Sequence, residues 1–147
     1  AFRYTKYQSY PLAIMNIAKP TDSELEILQI LWANGPSTVR TVNDQLNEQR
    51  RSNPAAKEAA GYTTTLKLMQ IMFEKGLVTR VEEGRTHAYT AVVREGDTQD
   101  LLIQQFVDNA FRGSTARLVM QALGNHEASS AELDEIKALI AKIEQGK

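Results

Sequence analysis

The stretch of residues 61–89 constrains the fold of this chain more than any other part, because a helical pattern is followed there by two short β-type runs. The helical pattern extends from Gly61 to Gly76, and glycine is typical of a helix end because it adopts the left-handed conformation at little steric cost. The β-type runs, residues 77–81 and 86–90, are separated by a short connection that contains Gly84, as in a β-hairpin. A helix, a tight turn and a hairpin in this order predict a winged helix.

The helix of this stretch has one apolar and one polar face. The apolar residues Leu66, Met69, Met72 and Phe73 recur at three- and four-residue spacing, which predicts one buried stripe. The polar face consists of Thr63, Thr64, Lys67, Gln70 and Glu74. The hairpin is interpreted as alternating, with the apolar Val78 and Val81 on one face and the polar Thr79 and Arg80 on the other.

Two further helices are predicted before this stretch. Thr21 and Glu24 have the spacing of a capping box, in which each side chain accepts a hydrogen bond from the other residue's backbone. The first helix carries Leu25, Leu28, Leu31 and Trp32 on one face, with Ile27 and Ile30 beside it, and the second carries Val39, Val42 and Leu46. Three helices and a hairpin predict a winged helix-turn-helix domain over residues 20–94, in a fold that is mainly α with a small β-hairpin.

The pattern changes after Val93, where residues 95–147 show apolar helical stripes and no hairpin. Helices in so short a segment are poorly suited to fold alone, so their stripes need a partner surface. That partner is either the winged helix or a second copy of the chain. We favour the second copy, because DNA-binding proteins of this size usually read two half-sites as a symmetric dimer. The residues expected in this dimerisation domain are Leu102, Phe106, Ala110, Leu118, Leu123, Leu133, Ile136, Ile140 and Ile143.

Composition excludes several classes of site. The chain has no cysteine, which excludes disulfides, thiolate zinc sites and cysteine nucleophiles and is compatible with a reducing cytoplasm. Its apolar runs all fall short of the roughly 20 residues that a membrane helix needs. Residues 1–19 have no signal-peptide pattern and do not begin with methionine, so we interpret them as a tail of uncertain origin without an assigned function.

Catalytic and metal chemistry find no support in the sequence. There is no Ser-His-Asp spacing, no glycine-rich phosphate loop and no carboxylate pair with a partner. Two isolated histidines, His87 and His126, do not make a metal site without thiols. We therefore expect neither an enzyme nor a cofactor.

The polar face of the predicted helix has the chemistry to bind DNA. Threonine hydroxyls near a helix start bond phosphates or base edges, and Lys67 one turn later reaches a guanine or a phosphate. Taken singly, a threonine at this place is more often a helix cap, and a hairpin histidine is more often hydrogen-bonded within the protein. DNA binding is favoured because all of these residues lie on one face beside a hairpin. The expected DNA contacts are Tyr62, Thr63, Thr64, Lys67, Gln70, Arg80, Arg85 and His87.

With these elements in this order, the sequence resembles the BlaI/MecI/CopY family of bacterial transcriptional repressors, the penicillinase-repressor-like proteins. The resemblance covers residues 20–147 and is strongest over the winged helix. The residues that carry it are Leu25-Glu26-Ile27-Leu28-Gln29-Ile30-Leu31-Trp32, Tyr62-Thr63-Thr64-Thr65, Glu74-Lys75-Gly76-Leu77-Val78 and Gly84-Arg85-Thr86-His87-Ala88-Tyr89.

This resemblance implies a homodimer that binds an inverted-repeat operator through its winged helices, with the C-terminal helices forming the dimer. It also implies relief of repression when a membrane-bound sensor metalloprotease triggers cleavage in the dimerisation region, and a role in regulating antibiotic resistance. In the family, the positions of Thr63, Thr64 and Lys67 face the major groove, and the position of Arg85 lies against phosphate.

The chain departs from the family pattern at several positions. Leu66 and Ile71 stand where many members have basic residues, and Gln121-Ala122 stands where some members have the Asn-Phe bond that is cut. The copper-sensing branch uses a cysteine-rich end, which is absent from this chain.

A second hypothesis is a winged-helix module that binds another protein and not a specific DNA sequence. It is suggested by the net charge of −1, which argues against an unspecific polyanion binder, and by Leu66 and Ile71 near the expected DNA face.

Overall fold

The computed structural model describes residues 19–55 and 57–146 of the 147-residue chain. The tail that we predicted over residues 1–19 lies outside this described part, except for Lys19. The described residues divide into two compact units, residues 19–101 and residues 102–146.

The first unit combines three helices with a three-stranded antiparallel sheet. Its elements are α1 (Asp22–Asn34), β1 (Ser37–Thr38), α2 (Val39–Ser52), α3 (Tyr62–Glu74), β2 (Val78–Glu83) and β3 (Thr86–Ala91). The strand order is β1-β3-β2, so that β1 adds a short third strand to the predicted hairpin. The predicted winged-helix fold class is confirmed, whereas β1 was not predicted because two residues between helices leave no periodic pattern.

The core of the first unit lies between the three helices and the inner face of the sheet. The predicted capping box is present: Thr21 Oγ1 accepts from the Glu24 backbone N–H at 3.2 Å, and Glu24 Oε1 accepts from the Thr21 N–H at 2.9 Å. Gly76 ends α3 with a φ of 80°, and Gly84 turns the hairpin with a φ of 67°. The fully buried side chains include Ile27, Leu28, Ile30, Leu31, Val42, Leu46, Met69, Met72, Leu77, Val78 and Tyr89.

Two predictions of burial were wrong in detail. Phe73 is 38% exposed and Leu66 is half-buried, while Thr65 is fully buried at 0% exposure. The stripe that faces the core is centred on Thr65, Met69 and Met72, because these positions are separated by four and three residues. In β2, Val81 is 69% exposed, because side chains alternate every residue and Val81 lies on the face opposite to Val78.

The second unit consists of helices joined by short connections over its described residues, 102–146. It contains the end of α4 (Glu95–Ala110), followed by α5 (Thr115–Asn125) and α6 (Ser130–Gln145). Ser114 and Ser129 cap α5 and α6, and Ser129 Oγ accepts from the Glu132 backbone N–H at 3.1 Å. No residue of α5 or α6 is buried, and Met120 is 72% exposed. Within the described part of the chain, the apolar stripes of α5 and α6 are therefore left largely uncovered.

Candidate nucleic-acid interface

Helix α3 begins without a side-chain cap, which overturns the expectation that a threonine caps it. Its N-cap is Gly61, with a φ of −71° and no side-chain cap hydrogen bond. Thr63 and Thr64 lie inside the first turn with exposed side chains. Neither hydroxyl bonds to another described residue, so both are left available to a ligand.

The solvent-facing surface of α3 is a polar strip formed by Thr63, Lys67, Gln70 and Glu74, which we call the α3 strip. These residues are spaced by four, three and four positions and are all exposed, as the sequence predicted. The Lys67 ammonium and the Gln70 amide make no hydrogen bond or ion pair with a described residue. The strip therefore presents donors and acceptors that the other described residues leave unused.

Leu66 and Ile71 lie beside the α3 strip and not within it. Leu66 is half-buried and packs against the core. Ile71 is half-buried on the other flank, where it lines a shallow concavity with Thr63, Thr64, Lys67 and Leu68. Neither apolar residue therefore interrupts the row of exposed polar side chains that forms the α3 strip.

A groove lies between the first turns of α2 and α3 and the hairpin, and we call it the wing groove. Its volume is about 340 Å³. The groove brings together three of the predicted DNA contacts, Tyr62, Arg85 and His87. The residues that line it are Thr38, Val39, Arg40, Tyr62, Leu66, Arg85, Thr86, His87 and Tyr89.

Arg40 belongs to the wing groove, although it is not among the DNA contacts predicted from the sequence. It lies in the first turn of α2, whose N-cap is Thr38, and its guanidinium lies 5.7 Å from the ring centroid of Tyr62. An arginine two residues after a capping threonine, on the helix before α3, was the signal that could have identified it. The groove thus holds two guanidinium groups, those of Arg40 and Arg85.

Arg80 is placed differently from the other predicted DNA contacts. Its guanidinium lies 4.1 Å from the ring centroid of Phe73, and the side chain is half-buried. A cation over an aromatic face at this distance is attracted by the ring quadrupole. Arg80 therefore joins β2 to the last turn of α3, and it does not line the wing groove.

His87 lies on β3 and lines the wing groove, but it is not hydrogen-bonded as a hairpin histidine was expected to be. Its Nδ1 is buried and has no hydrogen-bond partner. The ring meets Tyr89 edge to face with centroids 6.4 Å apart, and in the sheet register His87 lies opposite Glu82. The expected hydrogen bond within the hairpin is therefore absent from the described structure.

Hydrogen bonds from α2 fix the start of α3. Asn43 Nδ2 donates to Thr65 Oγ1 at 2.8 Å and to the Ala60 carbonyl at 3.0 Å. Asn47 exchanges two further bonds with the Ala60 backbone, at 2.9 and 2.8 Å. These bonds satisfy buried polar groups and set the direction in which the α3 strip faces.

The predicted dimerisation residues lie on the helices of the second unit and at the end of α4. Leu102, Leu118 and Ile136 are half-buried, and the others, Phe106, Ala110, Leu123, Leu133, Ile140 and Ile143, are exposed. Gln121 and Ala122, at the position of the candidate cleavage site, are exposed on α5.

Other kinds of site find no support in residues 19–55 and 57–146. These residues contain no group of three or more His, Asp or Glu side chains that could hold a metal ion. None of the helices formed by the described residues is both long and apolar enough to cross a membrane.

The sequence matches known proteins over most of its length. The model of the penicillinase repressor family matches residues 20–142. The chain is 23% identical over 124 residues to the penicillinase repressor of Bacillus licheniformis, an alignment that covers 84% of this chain and 91% of that protein. It is 20% identical over 122 residues to the methicillin resistance regulatory protein MecI of Mammaliicoccus sciuri, covering 83% and 93%. It is 24% identical over 127 residues to the transcriptional regulator BlaI of Mycobacterium tuberculosis, covering 85% of each.

Two solved structures align with this chain at low TM-scores. The solution structure of the DNA-binding domain of the repressor BlaI aligns with a TM-score of 0.46 and 22% identity, over 56% of this chain and 90% of that one. A MarR family protein from Bacillus stearothermophilus aligns with a TM-score of 0.45 and 17% identity, over 99% of this chain and 87% of that one.

Proposed function

The chain belongs to the penicillinase repressor family, and we propose that it is a homodimeric transcriptional repressor that binds an inverted-repeat operator. Members of this family are transcriptional repressors and not enzymes. Its relatives include a penicillinase repressor and a methicillin resistance regulatory protein, and we propose that this chain also controls a resistance gene. Operator DNA in a bacterium lies in the cytoplasm, where we place the repressor.

The observation that carries the proposal is the α3 strip beside the wing groove. A helix with exposed polar side chains fits the major groove, where Lys67 and Gln70 can bond base edges and Thr63 can bond a base or a phosphate. Arg40 and Arg85 in the wing groove supply charges for the DNA backbone on the flank of the same helix. Base contacts and phosphate contacts are thus available on one continuous surface.

The proposed dimer rests on the uncovered apolar residues of the second unit. Phe106 at 54% exposure, Leu139 at 54% and Ile140 at 49% are large apolar side chains in contact with solvent in a single chain. Burial of such residues against a second copy removes apolar area from water and provides the free energy of association. A two-fold symmetric dimer in turn matches an inverted-repeat operator, because each winged helix reads one half-site.

We propose that repression is relieved through a membrane-bound sensor metalloprotease, with the segment around Gln121 and Ala122 as the candidate cleavage site. The bond between these residues lies within α5, and a helix must open locally before its backbone fits a protease as an extended strand. Gln121 and Ala122 are both exposed, and neither is among the predicted dimer contacts, so the candidate bond lies on an uncovered part of α5.

A fluorescence-anisotropy titration with DNA from the chain's own promoter region tests the proposal. We expect saturable binding that weakens steeply with added salt, because bound lysine and arginine release counterions from DNA. A Lys67→Ala, Arg85→Ala double variant should lose operator binding with unchanged melting temperature.

The matched control is a Lys137→Ala, Arg51→Ala double variant, which removes the same two charges at exposed positions outside the α3 strip and the wing groove. It should bind the operator like the unmodified chain. Binding that is insensitive to salt, or that survives loss of Lys67 and Arg85, would favour the protein-interaction module instead.

A further inference from the structure

His87 is an unusual member of the wing groove because its buried Nδ1 has no hydrogen-bond partner. Among the described residues that are not exposed, it provides the one buried side-chain nitrogen or oxygen that is left unsatisfied. A buried polar atom without a partner is unfavourable, and in native proteins it calls for an explanation such as strain, a functional role, or a water or ion that completes the bonding. No hydrogen bond to a described residue has to break when this ring turns.

The charged and titratable groups around His87 lie on several of the elements that form the groove. Arg40 on α2 and Arg85 at the hairpin turn are cationic, and the other titratable side chains that line the groove are Tyr62 on α3 and Tyr89 on β3. Glu82 on β2 lies opposite in the sheet register, but it is exposed and makes no ion pair with the imidazole. A cationic imidazole adds a third positive charge beside two guanidinium groups, and these like charges repel one another when the groove is empty.

A DNA backbone phosphate in the groove replaces this repulsion among cations by a net attraction. It carries the negative charge that three cations favour, and its oxygens accept hydrogen bonds from N–H groups. An imidazole carries one N–H when neutral and two when protonated, and its charge ordinarily changes close to physiological pH. Arginine stays charged throughout that range, so a site made of arginines alone binds phosphate with no such dependence on pH.

We infer that His87 takes up a proton from solvent when operator DNA binds, and that its imidazolium then contacts a DNA phosphate held between Arg40 and Arg85. This inference rests on the proposed repressor function and deepens it. Its consequence is that operator affinity rises as pH falls toward the acidic side of neutrality. The repressor thus holds its operator more tightly in a more acidic cytoplasm.

The test is operator affinity measured by fluorescence anisotropy at about pH 6 and about pH 8, at constant ionic strength and with the full chain. We expect roughly tenfold tighter binding at the lower pH, because the protonated imidazole adds a charge-assisted hydrogen bond to the phosphate. A His87→Gln variant keeps an amide that can hydrogen-bond but cannot become charged, and it should bind with the same affinity at both pH values. A His87→Lys variant should bind tightly at both, because its charge is permanent in this range.

The chain supplies its own control, since it has two histidines and the second, His126, is exposed at the end of α5. A His126→Gln variant should keep the full pH dependence. Calorimetric titrations in two buffers of different ionisation enthalpy measure the proton directly. They should show proton uptake on operator binding by the unmodified chain and by the His126 variant. This measurement tests proton uptake even when the His87 variants fold poorly.

The outcomes separate the two proposals. Operator binding that is equally tight at both pH values, or a pH dependence that His87→Gln leaves unchanged, overturns proton uptake at His87 and leaves the repressor function in place. Absence of operator binding at every pH overturns both.

Discussion

Glu24 near the start of α1 and Lys75 at the end of α3 form an ion pair, with Lys75 Nζ 3.0 Å from Oε1 and 2.9 Å from Oε2 of the carboxylate. The Glu24 side chain is 2% exposed and that of Lys75 is 33% exposed. The same carboxylate also accepts the backbone N–H of Thr21 in the capping box. One glutamate therefore caps α1 and joins it to the end of α3.

Replacement of Lys75 by alanine should destabilise the first unit by about 2 kcal/mol, because it leaves a buried carboxylate without its cation. The single tryptophan, Trp32, donates its Nε1–H to the Val93 carbonyl at 2.9 Å, so its fluorescence reports on unfolding of this unit in urea. Lys137→Ala, at an exposed position on α6, should change the free energy of unfolding by less than about 0.5 kcal/mol. Equal stability of the two variants would show that the ion pair adds nothing measurable.

Replacement of Arg40 by alanine should weaken operator binding about equally for the cognate site and for unrelated DNA. A phosphate contact carries no sequence information. Its loss makes the negative slope of log K against log salt less steep, by about 1 for each chain. Arg51→Ala is the matched control, since Arg51 is exposed near the other end of α2. A loss confined to the cognate sequence would instead identify Arg40 as a base-reading residue.

Replacement of Arg80 by alanine should lower stability by about 0.5–1 kcal/mol through loss of its contact with the Phe73 ring. Phe73→Leu should remove the same interaction, so that the double variant costs less than the sum of the two single variants. The salt dependence of DNA binding distinguishes this structural role from the DNA contact that the sequence predicted. A slope that falls by about 1 in Arg80→Ala, with unchanged stability, would favour the DNA contact.

Truncation of the chain before Glu95 should give a monomer with much weaker operator binding, because the proposed dimer surface is removed. The remaining chain keeps the hydrogen bond between Trp32 and the Val93 carbonyl. Sedimentation velocity measures its oligomeric state. An Ile140→Glu variant of the full chain should also dissociate, since it places a charge on an apolar stripe, whereas Glu135→Gln on the same helix should not. A truncated chain that still sediments as a dimer would place the dimer contacts in the first unit.

Local patterns in the sequence predicted much of the first unit. The capping box at Thr21 and Glu24, the helix end at Gly76 and the hairpin turn at Gly84 are set by interactions within a few residues, so they could be read from the sequence. Three-residue and four-residue spacing likewise predicted burial of Met69 and Met72 and exposure of the α3 strip. The errors occurred at residues such as Leu66 and Phe73, whose place at the edge of the apolar face depends on the neighbouring elements.

The sequence by itself determined the order of the first three helices and the hairpin, the start of α1, the turns at Gly76 and Gly84 and the polar strip of α3, because each depends on contacts between residues close in the chain. Only the tertiary structure decided which distant residues meet. It brought Arg40 to Tyr62, Arg80 to Phe73 and Lys75 to Glu24, and it left the Nδ1 of His87 without a partner. These contacts depend on how helices and strands pack across long separations in sequence, and no periodic pattern records that packing.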